Sequence, residues 1–363
     1  IVHGLGLNSL KQPDNKIYLG NSGTSARLLT GLLASQKFNT TLIGDKSLSS
    51  RPMKRISDPL KEMKAEIETN NGSLPLLIKG RELVSADIDI KIPSAQIKSG
   101  IILAALNTKG VTTITEHNVT RDHTEIMLES FGASIDIKKR ENKKIINIEG
   151  KKEFNSKNID VPSDLSSSSF FIVSTLINAN SKIQLKNINI NPTRNGILIA
   201  LNKMGAKITL LNKRTINDEK VCDIEVESSS LNGCELSEDI AKLMIDEYPI
   251  ISIAAAFANS PSVFRGLGEL RVKESDRLEL IKANLTRCGV SCEIRNDDLF
   301  IYPKKNTNVL NNEIITNFDH RIAMAFAVMG TKVGPLNIKD PDSINTSFPN
   351  FISEFNKIGG NIL

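Results

Sequence analysis

The chain has 363 residues, of which 40% are hydrophobic and 24% charged, with a net charge of +5 at pH 7. That length accommodates two ordinary domains, and that hydrophobic share excludes a disordered chain. With no Trp and only 4% aromatic residues, it lacks stacking platforms for nucleic acid, and its mild, dispersed positive charge suits a small anionic substrate instead. No apolar run reaches membrane-spanning length, so no membrane partner is expected. Cys222, Cys234, Cys288 and Cys292 form no CxxC pair, and no His stands at metal-ligand spacing. Neither a metal nor a disulfide framework is expected, and the compartment reads as a reducing cytoplasm.

The chain opens at Ile1, not at Met, with an apolar stretch, a turn at Gln12-Pro13-Asp14-Asn15 and Ile17-Tyr18-Leu19. These residues read as the end of a repeat unit whose start, about fifty or more residues, lies upstream. Asn21-Ser22-Gly23-Thr24-Ser25-Ala26-Arg27 then feeds an apolar helical run. Gly23 lets backbone amides approach a ligand closely. Arg27 reads either as a snorkelling core-edge side chain or as a functional one. A polar loop from Gly44 ends in Arg51-Pro52-Met53. The next opening is Ser94-Ala95-Gln96-Ile97-Lys98-Ser99, where Ser94 and Gln96 either bind a phosphate or hydroxyl or, for Ser94, cap a helix. A charged hairpin spans Lys138 to Lys152, and Ile159-Asp160-Val161-Pro162 marks the best boundary, giving domains 1–160 and 161–363.

Past that boundary the openings recur, at Ser163–Ser169, Met244–Pro249 and Asp319–Met324. Asp246 beside Glu247 reads as a general base with its neighbour or as an N-cap. Arg271-Val272-Lys273-Glu274-Ser275-Asp276-Arg277 leads into an amphipathic helix carrying Leu278, Ile281 and Leu285. On a helical turn Lys273 and Arg277 share a face, and Asp276 or Ser275 caps the helix. Asp319-His320 adjacency forms no nucleophile triad, because no activated Ser or Cys accompanies it. Second residues of the unit closures, Ala65, Ala133, Ala206, Val290 and Gly360, recur roughly every 70–85 residues, a domain-scale repeat. The expectation is an α+β fold of five complete units and a partial sixth, each with one buried and one amphipathic helix. Several charged helix starts at equivalent positions suggest N-termini converging on one anionic ligand.

Leu19–Thr24 with Arg27, Arg51-Pro52-Met53, Ser94-Ala95-Gln96, Arg271–Arg277 and Asp319–Met324 together resemble the 5-enolpyruvylshikimate-3-phosphate (EPSP) synthase family. The likeness runs in order to Ser347-Phe348-Pro349, and Thr120–Glu125 with Met244–Pro249 are similar to its class II bacterial branch. The resemblance implies two lobes of three βαβαββ units each and transfer of the enolpyruvyl group of phosphoenolpyruvate to the 5-hydroxyl of 3-phosphoshikimate, with no metal or cofactor. It implies phosphoenolpyruvate contacts from Gly23, Arg51, Gln96, Arg277 and Arg321. Ser94, Gln96, Thr120, Asp246 and Lys273 match positions around 3-phosphoshikimate, and Asn21 and Arg27 match positions that support the Gly loop. Asp246 matches the proton acceptor, and Glu274 the acid implicated in proton transfer at the methylene carbon. A monomer with no nucleic-acid partner is expected, and Gly23 implies inhibition by the phosphonate glyphosate.

Ala95 replaces a Ser common in the family, Thr346 stands where many members have Lys, and the family's N-terminal Lys-Ser…Arg motif has no counterpart. The expectation is therefore an N-terminally trimmed chain. Two rival readings remain open at this point. One is UDP-N-acetylglucosamine enolpyruvyl transferase, which generally uses a Cys in its N-terminal lobe, whereas the first Cys here is Cys222. The other is a non-catalytic anion-binding fragment of the same scaffold.

Overall fold

A computed structural model describes residues 1–4, 6, 9–140, 143–303 and 309–363. Glu141 and Asn142, in the expected Lys138–Lys152 hairpin, and Leu5, Leu7 and Asn8, in the apolar opening stretch, lie outside the described residues. The chain divides into two compact units, Ile1–Ile159 and Asp160–Leu363, each with its own hydrophobic core.

The first unit contains two copies of one supersecondary plan. In the first copy β1 (Ile17–Tyr18), α1 (Gly23–Ala34) and β2 (Asn39–Ile43) are followed by α2 (Lys46–Ser49), α3 (Lys54–Glu62), β3 (Glu66–Asn70) and β4 (Ser73–Lys79). β1 and β2 are parallel, β4 lies antiparallel to both β2 and β3, and the order is β1-β2-β4-β3. The second copy repeats this with β5 (Asp87–Ile90), α4 (Ala95–Leu106), β6 (Val111–Glu116), α5 (His123–Ser130), β7 (Ile135–Arg140) and β8 (Lys143–Glu149), ordered β5-β6-β8-β7. A parallel pair cannot be closed by a tight turn, so α1 and α4 are the crossovers. Alternate residues of β4 and β8, among them Leu74, Leu76, Ile78, Ile146 and Ile148, turn inward, as the period of a one-sided sheet requires. α1 and α4 meet backbone to backbone. A Cβ on Gly31 would stand 1.8 Å from the Gly100 carbonyl oxygen, so only glycine permits this approach.

The second unit contains three copies. The first opens with a parallel bridge between Ser163 and Ile188. It continues through α6 (Leu165–Ile177), β9 (Lys182–Asn189), α7 (Gly196–Lys203), β10 (Lys207–Ile216) and β11 (Glu219–Glu227). The next comprises β12 (Glu235–Leu236), α8 (Glu238–Met244), a 3-10 turn over Ile245–Glu247, α9 (Tyr248–Ala256), β13 (Ser262–Phe264), a 3-10 turn over Gly268–Val272, α10 (Arg277–Arg287), β14 (Ser291–Arg295) and β15 (Asp298–Tyr302). The last has β16 (Glu313–Ile314), α11 (His320–Val333), β17 (Asn337–Ile338), a 3-10 turn over Pro341–Thr346 and α12 (Phe351–Lys357). α6, α9 and α11 pack on one another. They are apolar nearly all round because every face is covered.

Two details differ from the sequence expectation. Ile17–Tyr18, expected to end a preceding unit, is instead the opening strand of the first copy, parallel to β2. Opening strands two to four residues long are too short for a period to declare itself. The fifth copy, expected complete, has its parallel pair β16-β17 and both helices but no antiparallel pair in the described residues.

Candidate active site

Every copy places polar residues at the start of its crossover helix, where unpaired backbone N–H groups and the helix dipole favour an anion. In the first unit, Asn21 lies in the turn before α1 and the Ser22 side chain caps that helix by accepting from Ser25 N. Arg27 is half-buried. Its Nη1 donates to Gln96 Oε1 at 2.6 Å and to the Gly23 carbonyl at 3.3 Å, and its Nη2 to the Pro52 carbonyl at 3.5 Å. One side chain therefore ties α1 to α4 and to the Arg51-Pro52 loop. The Gln96 amide donates in turn to Thr24 Oγ1 at 2.8 Å. A Cβ on Gly23 would stand 2.8 Å from Arg27 Nη1 and 3.0 Å from Arg51 Nη1. Gly23, Arg27, Arg51 and Gln96 thus form one cationic patch at the α1 N-terminus, suited to a phosphate or carboxylate.

Ser94 caps α4, accepting from Ile97 N at 3.4 Å. Thr120 belongs to a buried charge cluster that sequence reasoning missed. Its hydroxyl donates to Glu116 Oε1 at 2.5 Å, and Lys98 Nζ, on α4, reaches Glu116 Oε2 at 2.9 Å and Glu125 Oε1 at 2.8 Å. Lys144 Nζ closes the cluster on Glu125 at 3.0 Å. All four charged side chains are excluded from solvent. A Lys inside the otherwise apolar α4 run was the visible signal.

In the second unit the organising group is Arg277, 1% exposed. Its Nε and Nη2 donate to the two oxygens of Asp319 at 2.8 and 3.3 Å. Its Nη1 meets Asp246 Oδ1 at 3.2 Å, and its Nη2 meets Glu274 Oε2 at 2.5 Å. Nε, Nη1 and Nη2 thus each donate one hydrogen bond to Asp319 or Asp246, and the Glu274 contact is an ion pair without hydrogen-bond geometry. Burial works against the guanidinium charge, but Asp319, Glu274 and Asp246 outweigh it and hold the group even more firmly protonated than usual. Burial likewise disfavours the Asp319 carboxylate, yet the Arg277 charge pulls its pKa below the ordinary range. Lys273 lies ahead of α10, outside any helix, contrary to the expected shared helical face. It nevertheless reaches the same carboxylate as Arg277, with Nζ 3.3 Å from Asp246 Oδ1. Asp276 caps α10, accepting from Glu279 N at 3.1 Å.

Asp246 does not cap the helix that follows. The cap position of α9 is Glu247, with no side-chain cap bond. Arg321, at the start of α11, donates from Nη1 to Ser166 Oγ at 2.6 Å and to the Asp246 carbonyl at 3.1 Å. Its Nε and Nη2 make no hydrogen bond among the described residues. Arg277 and Arg321 therefore meet at Asp246, one on its carboxylate and one on its carbonyl. Ser166 and Arg194, in this neighbourhood, carried no role in the sequence reading; their only signal was a position in a recurring opening and in a Pro-Thr-Arg turn.

The description EPSP synthase (3-phosphoshikimate 1-carboxyvinyltransferase) matches residues 1–355. A 3-phosphoshikimate 1-carboxyvinyltransferase of Ruthia magnifica subsp. Calyptogena magnifica is 44% identical over 366 residues, covering 99% of this chain and 82% of that protein. The protein of the same name from Legionella pneumophila (strain Corby) is 42% identical, covering 98% and 81%. Among solved structures, an EPSP synthase from Acinetobacter baumannii superposes with a TM-score of 0.85 at 42% identity, covering 99% of this chain and 82% of its own. The enolpyruvyl transferase NikO from Streptomyces tendae, at 14% identity and a TM-score of 0.68, covers 92% of this chain and 76% of its own and shares the fold. With relatives above 40% identical along nearly its whole length, and with the charged helix starts described above, this chain belongs to the EPSP synthase family.

Proposed function

We propose that the protein transfers the enolpyruvyl group of phosphoenolpyruvate to the 5-hydroxyl of 3-phosphoshikimate with release of phosphate, in the cytoplasm and as a monomer. In this reading Gly23, Arg51 and Gln96 of the first unit, and Arg277 and Arg321 of the second, serve phosphoenolpyruvate. Ser94, Gln96 and Thr120 of the first unit, and Asp246 and Lys273 of the second, serve 3-phosphoshikimate. The observation that carries it is the charge arrangement at Asp246: a carboxylate held between Lys273 and Arg277, beside Glu274 on the same arginine.

Two carboxylates on one guanidinium suit addition followed by elimination. Asp246 takes the proton of the attacking hydroxyl as it bonds to C2 of phosphoenolpyruvate, and Glu274 delivers a proton to the methylene carbon. Reversal of the Glu274 transfer, with cleavage of the C2–O bond to phosphate, regenerates the double bond in the product, and the proton held by Asp246 leaves with the departing phosphate. The arginines stabilise charge on phosphate and carboxylate as the tetrahedral intermediate forms and collapses. Cysteine chemistry of the sugar-nucleotide rival finds no support, because burial pushes the Cys234 and Cys288 thiols up to about 11 and both lie in the second unit.

Asp246→Asn tests the assignment. Loss of a general base lowers kcat by ~10²–10⁴-fold. The amide still accepts from Arg277, so the stability loss stays within about 1–3 kcal/mol. Turnover within a few-fold of the unmodified protein would remove Asp246 from the chemistry.

A further inference from the structure

Glu247 is 1% exposed and has no part in the proton transfers assigned above. A buried carboxylate persists only with compensating charge and donors. Its Oε1 accepts a short hydrogen bond from the Ser166 hydroxyl, and Arg194 Nη2 and Arg321 Nη1 stand 4.0 and 3.9 Å away. Its Oε2 is buried without a hydrogen-bond partner among the described residues. Ser166 is a relay between charges, since its oxygen accepts from Arg321 Nη1 at 2.6 Å while its proton goes to Glu247. Arg194 is anchored on its other side by Asp164 Oδ1 at 3.1 Å.

This chain of contacts consumes one particular amino group of Arg321. Nη1 is held by Ser166 and by the Asp246 carbonyl. What remains is the side edge of the guanidinium, Nε with Nη2, which is a bidentate fork for a phosphate or carboxylate. A long arginine at the first turn of α11 would otherwise lose rotamer freedom on meeting a ligand. Fixing Nη1 beforehand removes part of that cost and sets the direction of the fork.

We propose that Ser166 and Glu247 are positioning residues that lock Arg321 Nη1 so that its Nε–Nη2 edge is presented to phosphoenolpyruvate. The Asp246-Glu247 dipeptide then serves two purposes. The Asp246 carboxylate gathers Lys273 and Arg277, while Glu247, through Ser166, and the Asp246 carbonyl aim Arg321. This inference rests on the reading that Arg321 binds phosphoenolpyruvate.

A double-mutant cycle on the full-length protein tests it, with KM for each substrate, kcat and thermal melting measured for Ser166→Ala, Arg321→Lys and the pair. Ser166→Ala should raise KM for phosphoenolpyruvate ~10-fold while KM for 3-phosphoshikimate stays within about 3-fold. In the Arg321→Lys background the same change should add less than about 3-fold, because no fork is left to aim. Glu247→Gln, which keeps an acceptor for Ser166 and removes the charge, should give a smaller rise of the same selectivity, and it carries the test if Ser166→Ala does not fold. Equal rises in both KM values, a lowered melting temperature alone, or full additivity with Arg321→Lys would overturn the positioning role. If Arg321→Lys itself leaves KM for phosphoenolpyruvate unchanged, the underlying assignment of Arg321 falls, and the inference with it.

Discussion

At the scale of single residues, the geometry divides the arginines by what they have left to give. Arg277 is surrounded by Asp246, Glu274 and Asp319 and acts chiefly as the post on which the carboxylates are hung. Arg321 has Nη1 engaged by Ser166 and the Asp246 carbonyl, while the Arg27–Arg51 pair converges at the start of α1. Gly23 lies beneath that pair, and its missing Cβ is a condition of their approach. Gly23→Ala should displace the guanidinium ends of Arg27 and Arg51, both flexible enough to give way. KM for phosphoenolpyruvate is expected to rise a few-fold, and inhibition by the longer glyphosate to weaken by a larger factor. Equal changes in the two constants, measured at matched substrate, would show that Gly23 exerts no selection.

His320 gives the residue scale a pH signature. Burial, reinforced by the neighbouring Arg321 charge, pulls its pKa down to about 4, with Arg277 adding to the shift while Asp319 and Glu274 oppose it. The folded protein holds the imidazole neutral where the unfolded chain, at about 6.5, would take up a proton. Stability should therefore fall as pH drops from about 6.5 to about 4, by ~3 kcal/mol in all. Asp319, whose pKa is depressed on folding, adds a further loss only as pH falls below the ordinary aspartate value. Urea melts across pH 4–7 check this, since His320→Asn should flatten the upper part of the curve and leave the lower part. An unchanged slope would place the protonation elsewhere.

At the scale of elements, the buried crossover helices were the legible part. Asn21–Arg27, Ser94–Ser99, Ser163–Ser169 and Asp319–Met324 all open helices that the structure buries, because capping residues followed by an apolar run have few other readings. The closures were legible for a backbone reason. Gly132, Gly205, Gly289 and Gly359 each take a positive φ just after an outer helix, and Lys64 takes φ 66° at the same point of the first copy, as a left-handed helix stop demands. Side-chain pairings between elements were not legible. Lys98 with Glu116, Lys144 with Glu125 and Arg277 with Asp319 join residues 18 to 42 positions apart, and no local period records such distances. The Lys98 cluster bolts α4 to the turn bearing Thr120, so its removal should be felt in the fold. Lys98→Met is expected to cost ~3–5 kcal/mol by leaving buried carboxylates uncompensated. The same change at Lys61, paired with Asp58 in solvent, should cost about 1 kcal/mol at most. Chemical denaturation of both variants gives the comparison, and equal losses would contradict the burial argument.

At the scale of the whole molecule, the repeat period read from closures alone corresponds to five α/β copies distributed over two compact units. What periodicity left open was the strand order, in which the last strand of a copy inserts beside the second and separates it from the third. Hydrogen-bond register decides that order, and alternation along one strand does not report its neighbours. The family relation and the charged helix starts converge on one chemistry, joining two anionic substrates with loss of phosphate. The most direct test is to mix the full-length protein with both substrates, using phosphoenolpyruvate labelled with carbon-13 at C2, and to follow phosphate and the labelled carbon together by NMR. The account predicts one phosphate released for each new enol ether carbon attached at the 5-oxygen of 3-phosphoshikimate, with neither signal when either substrate is left out. Phosphate without the enol ether, transfer to UDP-N-acetylglucosamine in preference, or no turnover with both substrates present would contradict it.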